Sequence, residues 1–141
     1  MKEIETKPLD ADITVQVPGS KSFTHRTLIA AALSDGECRV LDPLRSQDTL
    51  LTMAALQQMG IRIEDRKERM IVHGGGGRFS PVAGPIDFGN SGTSMRLFGG
   101  LVVLGQGAYT LTGTRRMCER PMHALLESLT RMGIPARSRS G

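Results

Sequence analysis

The chain has no tryptophan, one tyrosine and four phenylalanines in 141 residues. Its core therefore has to be assembled mainly from leucine, isoleucine, valine, alanine and methionine, an aliphatic and helix-rich packing. The same shortage removes the aromatic platforms on which single-stranded nucleic acids usually stack, so no nucleic-acid partner is expected. Cysteine is scarce too. Cys38 and Cys118 lie far apart, with neither metal-ligand spacing nor a disulfide-rich context, and are expected to be reduced thiols with no metal site. No segment has the roughly 20 apolar residues that a bilayer span requires. Met1-Lys2-Glu3-Ile4-Glu5 carries no apolar signal region, so a cytoplasmic location without membrane contact is the expectation.

What is present fits a folded domain: 39% hydrophobic and 23% charged residues, enough for one core. Eighteen Lys and Arg against 14 Asp and Glu give a formal charge of +4, which favours anionic partners. Many of the arginines stand singly among apolar positions. That pattern suits discrete phosphate or carboxylate ligands better than a polyanion.

An internal repeat organises the sequence into α/β (α+β) units of the order βαβαββ. The first, about 18–80, opens at Ser20-Lys21-Ser22 and continues as a helix bearing Leu28, Ile29, Ala32 and Leu33 that stops at Ser34-Asp35-Gly36. A strand at Cys38-Arg39-Val40-Leu41 leads to a helix with Leu50, Leu51, Met53, Ala54 and Leu56, ending at Met59-Gly60. A hairpin follows: Ile61 and Ile63 alternate with Arg62 and Glu64, and Met70-Ile71-Val72-His73 returns. The second unit, about 81–141, starts its helix at Gly89-Asn90-Ser91-Gly92-Thr93, with Arg96 in the place of Arg26 and Leu111 in that of Leu41. Pro121 falls on the first turn of its last helix, followed by Met122, Leu125, Leu126, Leu129 and Met132 at helical spacing. Ser138-Arg139-Ser140-Gly141 falls where the charged turn of the first hairpin stood, so the chain reads as roughly two units with the second truncated, part of a longer protein. Residues 1–17, with strands at Ile4 to Pro8 and Ile13 to Val17, precede the repeat and are expected to belong to, or bridge to, another domain. Gly74 to Gly77 lacks the Lys-Ser/Thr of a P-loop and reads as a flexible turn.

Three segments carry candidate chemistry. In Pro18-Gly19-Ser20-Lys21-Ser22-Phe23-Thr24-His25-Arg26, Ser20 or Ser22 caps a helix whose free N–H groups attract anions. Lys21 adds a mobile charge and Arg26 a planar fork. His25 reads as a capping or surface histidine. In Gly89-Asn90-Ser91-Gly92-Thr93-Ser94-Met95-Arg96, Gly92 lets a ligand approach backbone where a side chain would intrude. In Thr112-Gly113-Thr114-Arg115-Arg116-Met117-Cys118-Glu119-Arg120-Pro121, Arg115 is expected to pair with Glu119 at the surface, leaving Arg120, held by Pro121, as the phosphate ligand. Each segment also has a purely structural reading as a capped turn or solvated ion pair.

The order PGSKS...R, GNSGTSMR and LTG...RMCERP resembles the EPSP synthases, members of the enolpyruvyl transferases, from about Val15 onward. The resemblance implies transfer of the enolpyruvyl group of phosphoenolpyruvate to the 5-hydroxyl of shikimate 3-phosphate, with phosphate released, in the shikimate pathway to aromatic amino acids. It implies that Lys21 contacts both substrates as stabiliser or proton carrier. Ser22 and Arg26 would hold the shikimate portion, and Gly92 and Arg120 phosphoenolpyruvate, Gly92 also lining the space where glyphosate competes. Such enzymes use no metal or organic cofactor, act as monomers at full length, and place the site between two globular domains of several repeat units, with the acidic base and further cations in later sequence. A chain of this extent is expected to be inactive alone. Phe23-Thr24-His25 replaces a smaller polar stretch and Cys118 a common lysine. The related enzyme acting on UDP-N-acetylglucosamine is a rival, but typically has Lys-Asn where this chain has Lys21-Ser22. A non-catalytic anion- or nucleic-acid-binding repeat module is another.

Overall fold

Residues 12–139 are described by a computed structural model. Helix α1, Lys21–Leu33, starts where Ser20 turns its hydroxyl back to accept the N–H of Phe23 at 3.4 Å. Its buried residues Thr24, His25, Leu28, Ala31 and Ala32 recur at the three- and four-residue spacing of one helix face. Strand β1, Asp35–Leu41, leaves the helix through Ser34 and is followed by α2, Gln47–Gln58. A reciprocal box opens α2: Ser46 Oγ accepts the Thr49 N–H, and Thr49 Oγ1 accepts the Ser46 N–H.

Strands β2, Arg62–Asp65, and β3, Arg69–Gly75, form the expected hairpin, and β3 is central in an antiparallel sheet of order β1-β3-β2. Met70 and Val72 alternate inward and are fully buried. On the opposite face Glu64 collects Arg66, His73 and Arg62, and hydrogen bonds from Arg66 and His73 hold its carboxyl down at about 2.

The second unit contributes β4, Pro85–Asp87, α3, Gly92–Leu101, and β5, Thr110–Thr112, then the single turn α4, Arg115–Cys118, and α5, His123–Arg131. β4 and β5 pair in parallel with Ile86 opposite Leu111. Leu28, Leu56, Met59, Met70, Ile86, Phe88 and Phe98 belong to one continuous core that joins the two units. Aliphatic side chains dominate it, although three of the four phenylalanines are buried there, and Phe88 and Phe98 pack tilted with centroids 4.8 Å apart. The mixed α/β class follows.

Several boundaries differ from the sequence reading. Ile13, Val15 and Val17 form no strand and are 62%, 72% and 76% exposed. No described segment pairs with them, and an unpaired strand leaves its N–H and C=O groups to water. The expected strand at Ile4 to Pro8 lies outside the described residues. Gly74 and Gly75 are not turn residues but the end of β3, packed so closely on the C-terminal turn of α1 that a Cβ on Gly74 would overlap the carbonyl oxygens of Ser34 and Ala31. Helix α5 starts at His123, not Pro121, and buries only Leu129, with Met132 73% exposed.

Candidate functional site

The two repeat-related helix starts face one open cleft of about 370 Å³. From α1 comes Lys21, at the first helical position, and from α3 come Gly92, Thr93 and Arg96. Asp48 of α2, Asn90 and Arg120 complete the lining. Lys21 Nζ stands 3.0 Å from Asp48 Oδ2, with the lysine side chain half exposed. An exposed pair of this kind contributes little to folding, so Lys21 can turn to a stronger anion at small cost.

Arg120 follows α4, whose start is capped by Thr114 Oγ1 accepting the Met117 N–H at 3.2 Å. Its guanidinium donates to Asn90 Oδ1 at 3.3 Å and covers the start of α3. A Cβ on Gly92 would stand 2.6 Å from Arg120 Nη1 and 3.0 Å from Arg96 Nη1. Gly92 is itself buried by these two side chains. Arg96 is fixed more firmly, donating to Gly92 O and to Pro121 O, both at 3.1 Å, and so ties α3 to the segment that carries Arg120. Three cations and a helix N-terminus converge here against a single carboxylate, an arrangement suited to a small dianion.

Of the residues singled out from sequence, Lys21, Gly92 and Arg120 share this cleft, while Ser22 and Arg26 do not line it. Arg26 donates to Ser22 O at 3.1 Å and its guanidinium carbon lies 4.9 Å from the centre of the Phe23 ring. Arithmetic explains the difference from Arg96. Arg96 follows Gly92 by four residues, close to one full turn, whereas Arg26 follows Lys21 by five and is rotated about 140° around the helix. Arg115 pairs with Glu119 at 3.1 Å on the surface, as its spacing indicates.

Sequence reading missed Asp48 and gave no role of their own to Asn90, Thr93 and Arg96, which stand in the second candidate segment. Asp48 sits in the first turn of α2, where an acidic residue is ordinary helix chemistry, so nothing in its spacing marked it. Arg96 had a signal, its repeat relation to Arg26.

His25 is not a surface or capping residue. It is 1% exposed, and its Nδ1 lies 2.8 Å from Thr52 Oγ1. Thr52 Oγ1 is 2.9 Å from Ser94 Oγ, which is 2.7 Å from Ser91 Oγ and 3.4 Å from Asp48 O. Burial lowers the pKa of His25, with Asp48 opposing and Lys21 reinforcing the shift.

A second hollow, about 390 Å³, runs along α5 beside Ser138. Glu127 and Arg131 in its wall pair with each other at 2.6 Å, and no set of cations converges on it. Among the described residues no cluster of His, Cys, Asp or Glu has the makings of a metal site, and no helix is long and apolar enough to cross a membrane.

Comparison with known proteins gives a consistent picture. The family of EPSP synthase (3-phosphoshikimate 1-carboxyvinyltransferase) matches residues 5–141. A 3-phosphoshikimate 1-carboxyvinyltransferase of Methanospirillum hungatei is 43% identical over 116 residues, which are 82% of this chain and 27% of that protein. One of Methanosphaerula palustris is 44% identical over 129 residues, 89% of this chain and 30% of that protein. Among solved structures, EPSP synthase from Acinetobacter baumannii superimposes with a TM-score of 0.83 at 33% identity, over 90% of this chain and 30% of that one. The chain thus spans under a third of the length of these curated relatives.

Proposed function

The chain belongs to the EPSP synthase family, and from that premise we propose that it forms part of an enzyme transferring the enolpyruvyl group of phosphoenolpyruvate to the 5-hydroxyl of shikimate 3-phosphate. The observation carrying this reading is the convergence of Lys21, Gly92 and Arg120 on one cleft at two helix starts.

Phosphoenolpyruvate brings a carboxylate and a phosphate, and both need fixed positive partners. Arg120, over the bare backbone of Gly92, supplies a planar fork to one of them. Lys21 exchanges Asp48 for ligand and stands between the two substrates. Ser22 and Arg26, exposed on the first two turns of α1 and outside the cleft lining, reach the shikimate portion once Arg26 leaves the Phe23 ring and swings round the helix.

The reaction passes through a cationic enolpyruvyl carbon and a tetrahedral adduct, and inorganic phosphate departs as that adduct collapses. Fixed cations screen the two ligand phosphates, hold the hydroxyl near the carbon it attacks, and stabilise the departing phosphate. Lys21 is placed to stabilise charge or carry a proton. The acidic base and further cations belong to the remaining length of such an enzyme, which is this chain's partner in forming the site. The complete enzyme is a cytoplasmic monomer that needs no cofactor.

Calorimetric titration of the full-length protein with shikimate 3-phosphate, then with phosphoenolpyruvate, tests the proposal. Sequential heats that disappear in Lys21→Ala are the expected result. Absence of heat with shikimate 3-phosphate overturns it.

A further inference from the structure

Behind the cleft floor lies a group for which the reaction has no use. His25 is buried on α1, four residues after Lys21; Thr52 on α2 follows Asp48 by four; Ser94 on α3 follows Gly92 by two. All three side chains are at most 1% exposed, as is Ser91. Their polar atoms are linked in sequence at 2.8, 2.9 and 2.7 Å. The linkage therefore joins the three helices that present Lys21, Asp48 and Gly92.

The second ring nitrogen decides the direction of the chain. His25 Nε2 is buried and has no hydrogen-bond partner among the described residues. A proton there would be an unsatisfied buried donor, whereas an unprotonated Nε2 is only an unused acceptor. The proton accordingly sits on Nδ1, which donates to Thr52 Oγ1. Thr52 then has its own hydrogen for Ser94, and Ser94 has its hydrogen for Ser91 Oγ or for Asp48 O. Thr52 and Ser94 each accept one hydrogen bond and donate one, and Ser91 Oγ accepts, with no conflict along the line.

We propose that His25 is a positioning residue of the cleft: neutral and protonated on Nδ1, it heads a one-way chain of donated hydrogen bonds through Thr52 to Ser94 and Ser91 that fixes the spacing of the helix starts carrying Lys21, Asp48 and Gly92. The catalytic side of this inference rests on the reading of the cleft as an enolpyruvyl transfer site; the hydrogen-bond chain does not.

Two substitutions in the full-length protein separate positioning from packing. His25→Asn puts an amide N–H where Nδ1–H stood but leaves a void in place of the outer ring. It is expected to lower the thermal midpoint while rescuing kcat/KM for phosphoenolpyruvate to within about twofold of the parent. His25→Leu keeps more of the volume and removes the donor. It is expected to lower kcat/KM by roughly fivefold or more, the factor that one neutral hydrogen bond represents, with the smaller loss of midpoint. Nitrogen NMR of the histidine ring, a readout independent of activity, should show the Nδ1–H tautomer. Activity that merely follows stability across the two variants overturns the positioning role, and an Nε2–H tautomer overturns the chain itself. An inactive parent protein refutes the assigned reaction, and with it the catalytic half of this inference, while the ring tautomer still decides the hydrogen-bond chain.

Discussion

Substituting Gly92 with alanine separates the proposed ligand-binding role of the cleft from its contribution to folding. Gly92 has no left-handed φ, so the substitution brings no strain of that kind, and at this first helical position alanine is favoured over glycine by at most the about 0.5–1 kcal/mol of a helix interior. The added Cβ meets Arg120 Nη1 at 2.6 Å and Arg96 Nη1 at 3.0 Å. Arg96 is anchored to two carbonyls, but Arg120 is held by one long bond to Asn90, so Arg120 is the side chain that gives way.

Moving that guanidinium off the cleft removes a charge-assisted hydrogen bond to the ligand, worth about 1.5–3 kcal/mol. At about 1.4 kcal/mol per tenfold, phosphoenolpyruvate binding should weaken roughly tenfold to a hundredfold. Denaturant unfolding of the same variant should show stability unchanged or slightly raised. The assay is calorimetric titration with phosphoenolpyruvate in the presence of saturating shikimate 3-phosphate, beside urea melts. Affinity within twofold of the parent would refute the placement of Arg120 on the ligand. Loss of stability by about 2 kcal/mol or more would refute the claim that the arginine, not the helix, moves.

Arg115→Ala should leave both ligand affinity and stability within about 0.5 kcal/mol of the parent, since its partner is an exposed glutamate one turn away; a tenfold weaker affinity would place Arg115 in the site after all. Thr24→Val removes the acceptor of the Leu44 N–H and the donor to Ser20 O, and should destabilise by about 1–3 kcal/mol in urea melts. For His25, burial holds the folded-state pKa below 6.5, so the unfolded chain binds more protons in the range between the two values. Its contribution to stability is full above about pH 6.5 and declines as pH falls from there toward the folded value. The difference in unfolding free energy between parent and His25→Asn should therefore change with pH below 6.5 and be flat above 7, and a difference independent of pH would refute the buried neutral state.

From α1 onward the order of elements in the first unit was legible because helix and strand periods, caps and a two-sided hairpin all agreed locally. Ser20, Ser34 and Gly60 mark ends that the fold keeps. The lining of the cleft was legible where a residue type is unusual for its position, as with Lys21 and Gly92. It was illegible where the type is ordinary, as with Asp48, or where orientation turns on a single residue of phase, as with Arg26 against Arg96. His25 went astray for a third reason. Proximity to a capped, exposed helix start makes surface placement the natural expectation, and only the partner helices, distant in sequence, reveal that this face is covered by Thr52 and Ser94.

The repeat accounts for why two helix starts should meet at all. In the first unit the residue before the cap, Gly19, is pressed against the carbonyl oxygen of Asp42, the first residue after β1, with no room for a Cβ. In the second, the residue after β5, Gly113, is pressed against the carbonyl oxygen of Gly89, two residues before the Ser91 cap, again with no room for a Cβ, and Thr114 N–H donates to that same oxygen at 2.7 Å. Each unit thus clamps the lead into its helix to the exit of its next strand, by the same kind of contact reached from opposite sides. With α2 and α3 sharing the buried hydroxyl chain, the clamps leave the two N-termini little freedom except to face the same space. The facing of two helix starts on one cleft is therefore a consequence of repeated backbone packing, and the proposed anion binding needs only cations at its rim.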